Sequence, residues 1–202
     1  MGQRDDGLSG FKFGMSQQAV RDITLMALAD LLRARTGWDE PPSLLLAYFE
    51  DGVVTFSPDS LVPDQMWAKG PPAHVLEYIA KSLIASPIQR ALAEVTDDGF
   101  FGVAWRAESW LVQAPASDTE AVANLDRAAK RRQIYAHPAR VECRNVWAMT
   151  RAGMLWASQT RGSDEVTSRP ARKRDVEGGV PDALTTMFRA FVARDPVREK
   201  TP

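Results

Sequence analysis

The sequence predicts an α+β protein, with a mostly antiparallel sheet of about five strands and helices packed over it. Two hairpin signals carry that prediction: Asp51-Gly52 between apolar runs, and Thr150-Arg151-Ala152-Gly153 between two strand-like stretches. Helical apolar spacing before, between and after them supplies the covering layer. The 202 residues, 45% hydrophobic and 25% charged, are enough for one sizeable core of ordinary globular composition. No internal repeat is visible.

Residues 1–15, rich in Gly and Asp, read as a flexible lead whose Phe11 and Phe13 dock on the body. Ser16 is placed to cap a helix running to about Arg35, its inward side drawn by Val20, Ile23, Ala27, Leu31 and Ala34 and widened by Leu28 and Leu32. Gly37 and the Pro41-Pro42 pair stop it. Leu44 to Phe49 and Val53 to Phe56 are strands around Asp51-Gly52. The segment with Pro58, Pro63 and Trp67 reads as an irregular crossing. Pro71 and Pro72 open a second helix to about Ala85, with Leu76, Ile79, Ala80 and Leu83 toward the core and Glu77 paired with Lys81 outside. Ser86-Pro87-Ile88-Gln89 has the form of a capping box and starts a third, short helix.

The centre of the chain is Asp97 to Thr160. From Phe100 to Val112 a strand alternates, with Val103, Trp105, Ala107, Ser109 and Leu111 on one side and Arg106, Glu108 and Trp110 on the other. Glu120 to Arg132 fits either a helix with Val122, Leu125 and Ala129 inward or a charged connector. Val141–Met149 and Met154–Thr160 form the second hairpin, apolar on both faces, with its register open. Residues 162–179 read as a mobile charged loop. A last helix over 180–194, striped by Leu184, Met187, Phe188 and Phe191, docks on the domain, and 195–202 are tail. The domain proper is 16–161.

Net charge is only -1, so no global basic signal points to nucleic acid. Its distribution is uneven. Residues 1–126 hold 9 basic and 18 acidic side chains, 127–174 hold 12 and 3, and the last 28 hold 4 and 5. The basic segment either steers a partner or folds back on the acidic half. A lone cysteine fits a reducing compartment, and the first ten residues lack a signal-peptide pattern, so a cytoplasmic protein without a membrane span is expected.

Chemistry-bearing motifs are sparse. His74 and His137 have no partner at metal-ligand spacing, and Asp97-Asp98 reads first as acids around a turn; no metal and no cofactor are expected. Cys143 has His137 six residues away and Glu142 beside it, but its strand neighbours make it a small core residue first. The sequence has no G-x-S-x-G elbow, P-loop or G-x-G-x-x-G turn, and no catalytic residue is assigned. Glu108 and Glu142, with Arg106 and Arg144, read as a cross-strand ion-pair ladder before an acid–base pair. Partner contact is assigned to Arg131, Arg132, Arg140, Arg144 and Trp110, and candidate phosphate contacts to Arg172, Lys173 and Arg174.

Three pieces carry a resemblance: Gly102-Val103-Ala104, His137-Pro138-Ala139-Arg140-Val141-Glu142 and Gly179-Val180-Pro181-Asp182-Ala183-Leu184. Together, over residues 99–190, they resemble small uncharacterised proteins of actinobacteria and their phages. That resemblance implies an accessory protein that acts by binding and transfers no functional residue. The expected function is a non-enzymatic regulatory protein that binds a protein partner through a basic face with exposed aromatics. The alternatives are nucleic-acid binding through 127–144 and 161–174, an enzyme with an unrecognised pocket, and a structural homo-oligomer.

Overall fold

The computed structural model describes residues 14–35, 37–85, 99–112, 118–120, 123–124, 136–171 and 179–192. Helix α1 is Gln17–Arg33, and the Ser16 hydroxyl caps it by accepting from the Ala19 amide at 3.2 Å. Strands β1 (Ser43–Glu50) and β2 (Val53–Phe56) follow, joined by Asp51 and Gly52 at φ 49° and 81°. Two successive left-handed residues match the twist of the flanking strands, which is why Asp-Gly suits this turn. A short α2 (Asp64–Trp67) and then α3 (Pro72–Ala85) lead to β3 (Phe100–Leu111), β4 (Val141–Thr150), β5 (Gly153–Thr160) and β6 (Val166–Pro170). Helix α4 is Gly179–Val192.

All pairings are antiparallel, in the order β2-β1-β3-β4-β5-β6. The α+β class stands, with six strands where about five were expected. The sixth, Val166–Pro170, lies inside the stretch expected to be a mobile loop. Its alternation is masked by Ser168 and Arg169, and it pairs only because β5 offers it an edge. Helix α2 falls in the segment read as an irregular crossing.

Helices cover both faces. Helix α1 touches β2 near one edge and β5 and β6 at the other, so the sheet curls around it. Its buried line is Val20, Thr24, Leu28 and Leu32, with Ile23, Ala27 and Leu31 only partly covered and Ala34 exposed. The inward face is thus rotated from the expected one, and Thr24 is admitted because its hydroxyl donates to the Val20 carbonyl at 2.6 Å. On the other face α3 and α4 pack on each other and α4 on β3 and β4, burying Leu76, Ala80 and Leu83 with Leu184, Met187, Phe188 and Phe191. Apolar residues on both faces of the β4–β5 hairpin are explained by this double cover.

Gly102 marks a close approach of β3 and β4. A Cβ there would lie 2.5 Å from the Met149 carbonyl oxygen and 2.8 Å from the Thr150 Cα. The docking of Phe11 and Phe13 and the helix at Ser86–Gln89 lie outside the described residues. Of 120–132 only Glu120, Ala123 and Asn124 are described, too few to choose between helix and connector.

Candidate functional site

The β3–β4 register sets Glu108 opposite Arg144 and Trp110 opposite Glu142. Opposed residues share a face of an antiparallel pair, so these four side chains emerge together with Arg106. They lie on the α1 side of the sheet, beyond the C-terminal end of that helix. The loop after α1 folds over them. Asp39 holds a left-handed φ of 64°, and its amide donates to Glu108 Oε2 at 2.7 Å. That charge-assisted bond helps hold a conformation that few non-glycine residues adopt.

The expected ladder of Arg and Glu is present in altered form, because its partners come from elsewhere in the chain. Arg35, its side chain buried, pairs with Glu40 and lies 4.0 Å from Glu108. Arg161 donates to Glu142 at 2.6 Å and to Asp39 at 3.5 Å. Both Arg144 and Arg161 stack their guanidinium groups on Trp38, 4.2 and 5.2 Å from the ring centroid.

Arg144 was expected at the surface, and the structure puts it inside, 3% exposed. Its Nη1 donates to the carbonyls of Leu32 and Arg35 at the end of α1, where the Leu32 carbonyl also accepts from the Arg35 amide at 3.3 Å. It fastens the helix end to the sheet, a role that needs the tertiary register. Burial pulls the Arg106 and Arg144 guanidinium groups below the ordinary arginine range, with repulsion from Arg35 adding to it. The hydrogen bond to Glu142 pushes Arg161 the other way.

Trp110 and Arg140 do reach the surface. Trp110 is 44% exposed, and the Arg140 guanidinium lies 4.7 Å from its ring centroid. Arg131, Arg132, Arg172, Lys173 and Arg174 lie outside the described residues. Five arginines of the 127–174 segment are described: Arg140, Arg144, Arg151, Arg161 and Arg169. Three of them contact tryptophan rings at Trp110 or Trp38, a fourth stacks on Trp156, and Arg151 is buried with Nε donating to the Phe100 carbonyl. Through Arg161 and Arg144 the basic segment folds back onto the loop and helix end of the acidic half.

Carboxylate oxygens of Asp39, Glu108 and Glu142 lie within 4.8 Å of one another, close enough to share a cation. Arg161 bonds Glu142 and Asp39, and the Asp39 amide bonds Glu108 Oε2, while Glu108 Oε1 is buried without a hydrogen bond and has the Arg35 guanidinium 4.0 Å away. With Arg35 and Arg161 beside the three carboxylates, their charge is met by arginines of the same chain.

Other candidates stand apart. Cys143 is fully buried, with the Asn145 amide 3.1 Å and the Ser109 carbonyl 3.4 Å from its sulfur. His137 instead accepts from the Ala139 amide at 3.2 Å, capping the turn into β4. His74 is exposed and lines a groove of about 290 Å³ with Lys69 and Tyr78. Trp105, Trp147 and Trp156 form a row across β3, β4 and β5 on the opposite face from Trp110. Trp38 and Arg35 are site members that the sequence analysis did not select; Trp38 directly after a helix-ending glycine was the available signal.

No family model, curated protein or solved structure matches the chain. Among the described residues no helix is long and apolar enough to cross a membrane.

Proposed function

We propose that the chain is a non-enzymatic accessory protein, cytoplasmic and of actinobacterial or phage origin, that binds a protein partner at the Trp110–Arg140 end of the sheet. The exposed Trp110 ring carries this reading. A large aromatic left 44% exposed, backed by a guanidinium and set on a rigid strand, has the composition of an interface anchor. Behind it the Glu142–Arg161–Asp39–Trp38 network holds the rim in place. Arg131 and Arg132 remain proposed partner contacts. Guanidinium groups already lie against Trp38, Trp110 and Trp156, which leaves those rings less free to stack on bases.

The test is affinity capture from host lysate, with and without nuclease, on the wild type, Trp110→Ala and an Arg131/Arg132 charge reversal. A stoichiometric partner that survives nuclease and is lost in both variants is expected. Retention of that partner by both variants removes this face from the function. Capture that disappears with nuclease transfers the function to nucleic acid.

A further inference from the structure

The edge strand β2 and helix α1 leave a groove of about 630 Å³ between them. Its apolar lining includes Ile23, Met26, Ala27 and Leu31 from the helix and Val54 and Phe56 from the strand. Met26, 67% exposed, stands on its rim.

The hairpin dictates which backbone groups face it. In a two-residue turn the closing pair, here Glu50 and Val53, exchanges both hydrogen bonds, and bonded pairs recur at every second residue. The Ser57 amide donating to the Leu46 carbonyl at 2.9 Å continues that pattern. Val53, Thr55 and Ser57 therefore bond toward β1, while the amides and carbonyls of Val54 and Phe56 point away from it. Among the described residues no strand lies on that side. The side chains of Val54 and Phe56 turn toward α1. Edge strands in soluble proteins are usually blunted by shortness, lysine, proline or a bulge; β2 is short, four residues, but Val-Val-Thr-Phe carries no lysine, proline or bulge.

The groove also carries charge at each end. Asp51 sits at the turn, beside the N-terminal end of α1, since a Cβ on Gly52 would lie 3.7 Å from the Met15 methyl. Asp30 lies toward the other end, with Asp22 on the same helix rim. Among the described residues Arg33, paired with Asp30 at 2.9 Å, is the basic residue set against these three acids. The rim is thus net acidic.

We propose that this edge takes up an extended segment of another protein, apolar at two alternate positions and basic at both ends. The segment lies antiparallel to β2, closes backbone hydrogen bonds with Val54 and Phe56, and buries its apolar side chains against Met26, Ala27 and Leu31. Main-chain bonds supply the affinity, and the apolar groove with its acidic ends supplies the selection. The surface is separate from the Trp110–Arg140 end of the sheet, so the two proposals stand or fall independently.

The probe is a fluorescein-labelled peptide, Lys-Thr-Phe-Thr-Val-Thr-Lys, titrated into the full chain and followed by fluorescence polarisation. A second peptide carries N-methyl groups on the Phe and Val amides, which removes the edge hydrogen bonds and keeps the side chains. The expected result is saturable binding of the first, weakened about tenfold or more by N-methylation and by Met26→Arg. Met26 is exposed, so its replacement leaves the core intact, and circular dichroism checks this. Absence of saturable binding overturns the proposal, as does equal affinity for the two peptides. A chain that dimerises until Met26→Arg separates it, and that ignores the peptide, assigns the edge to a second copy and likewise overturns it.

Discussion

At the scale of single residues, two positions carry constraints out of proportion to their chemistry. Gly102 is required by close approach, not by an unusual φ, because β4 backbone occupies the space of a Cβ. Gly102→Ala must push β3 and β4 apart, and a loss of about 1–3 kcal/mol is expected from the denaturation midpoint. Arg144 is constrained by what it satisfies. Arg144→Ala leaves the Leu32 and Arg35 carbonyls, and the Glu108 carboxylate opposite, short of positive partners. A cost of about 3 kcal/mol is expected, with faster hydrogen exchange in the last turn of α1. Arg144→Lys should recover little of it, since an ammonium cannot bond at the helix end and stack on Trp38 together.

Elements show how local rules and tertiary demands divide the work. Helix α3 follows local rules: proline at its start, apolar residues at helical spacing, and the Glu77–Lys81 pair at 2.6 Å on its exposed side. Lys81 holds the Glu77 carboxyl below its ordinary value, by hydrogen bond first and charge second. A lowered folded value means that the pair contributes above the unfolded glutamate range and that its contribution is lost as pH falls through the folded value. Lys81→Ala should return the Glu77 carboxyl to the ordinary glutamate range, read by carbon-detected NMR titration. Helix α1 shows the other case. Its apolar residues cover a wide arc, and only the curl of the sheet selects the Val20–Leu32 line, leaving Met26 beside the open β2 edge.

On the scale of the whole molecule the uneven charge is balanced locally, at the end of the sheet that carries the candidate site, where Arg35, Arg144 and Arg161 meet Asp39, Glu40, Glu108 and Glu142. A surface so compensated attracts partners by shape and apolar contact more than by field. Capture of a protein partner should therefore decline only shallowly between low and moderate salt, as measured by titrating the wash. A steep decline would mark phosphate contacts as the driving term.

The class, the hairpin turns, the capped start of α1, the proline start of α3 and the docking stripe of α4 were legible in the sequence, because each rests on neighbours a few residues apart. Leu184, Met187, Phe188 and Phe191 can form one stripe in only one kind of element. Strand β6, the burial of Arg144 and the clasp on Trp38 were decided by tertiary structure alone. Each depends on residues brought together from distant parts of the chain: β6 on the free edge of β5, Arg144 on the end of a helix 109 residues earlier, and Trp38 on one arginine from β4 and another from the turn after β5. Short-range patterns set which elements form. Register and curvature set which side chains meet, and so where an arginine becomes a surface contact and where it becomes a bolt.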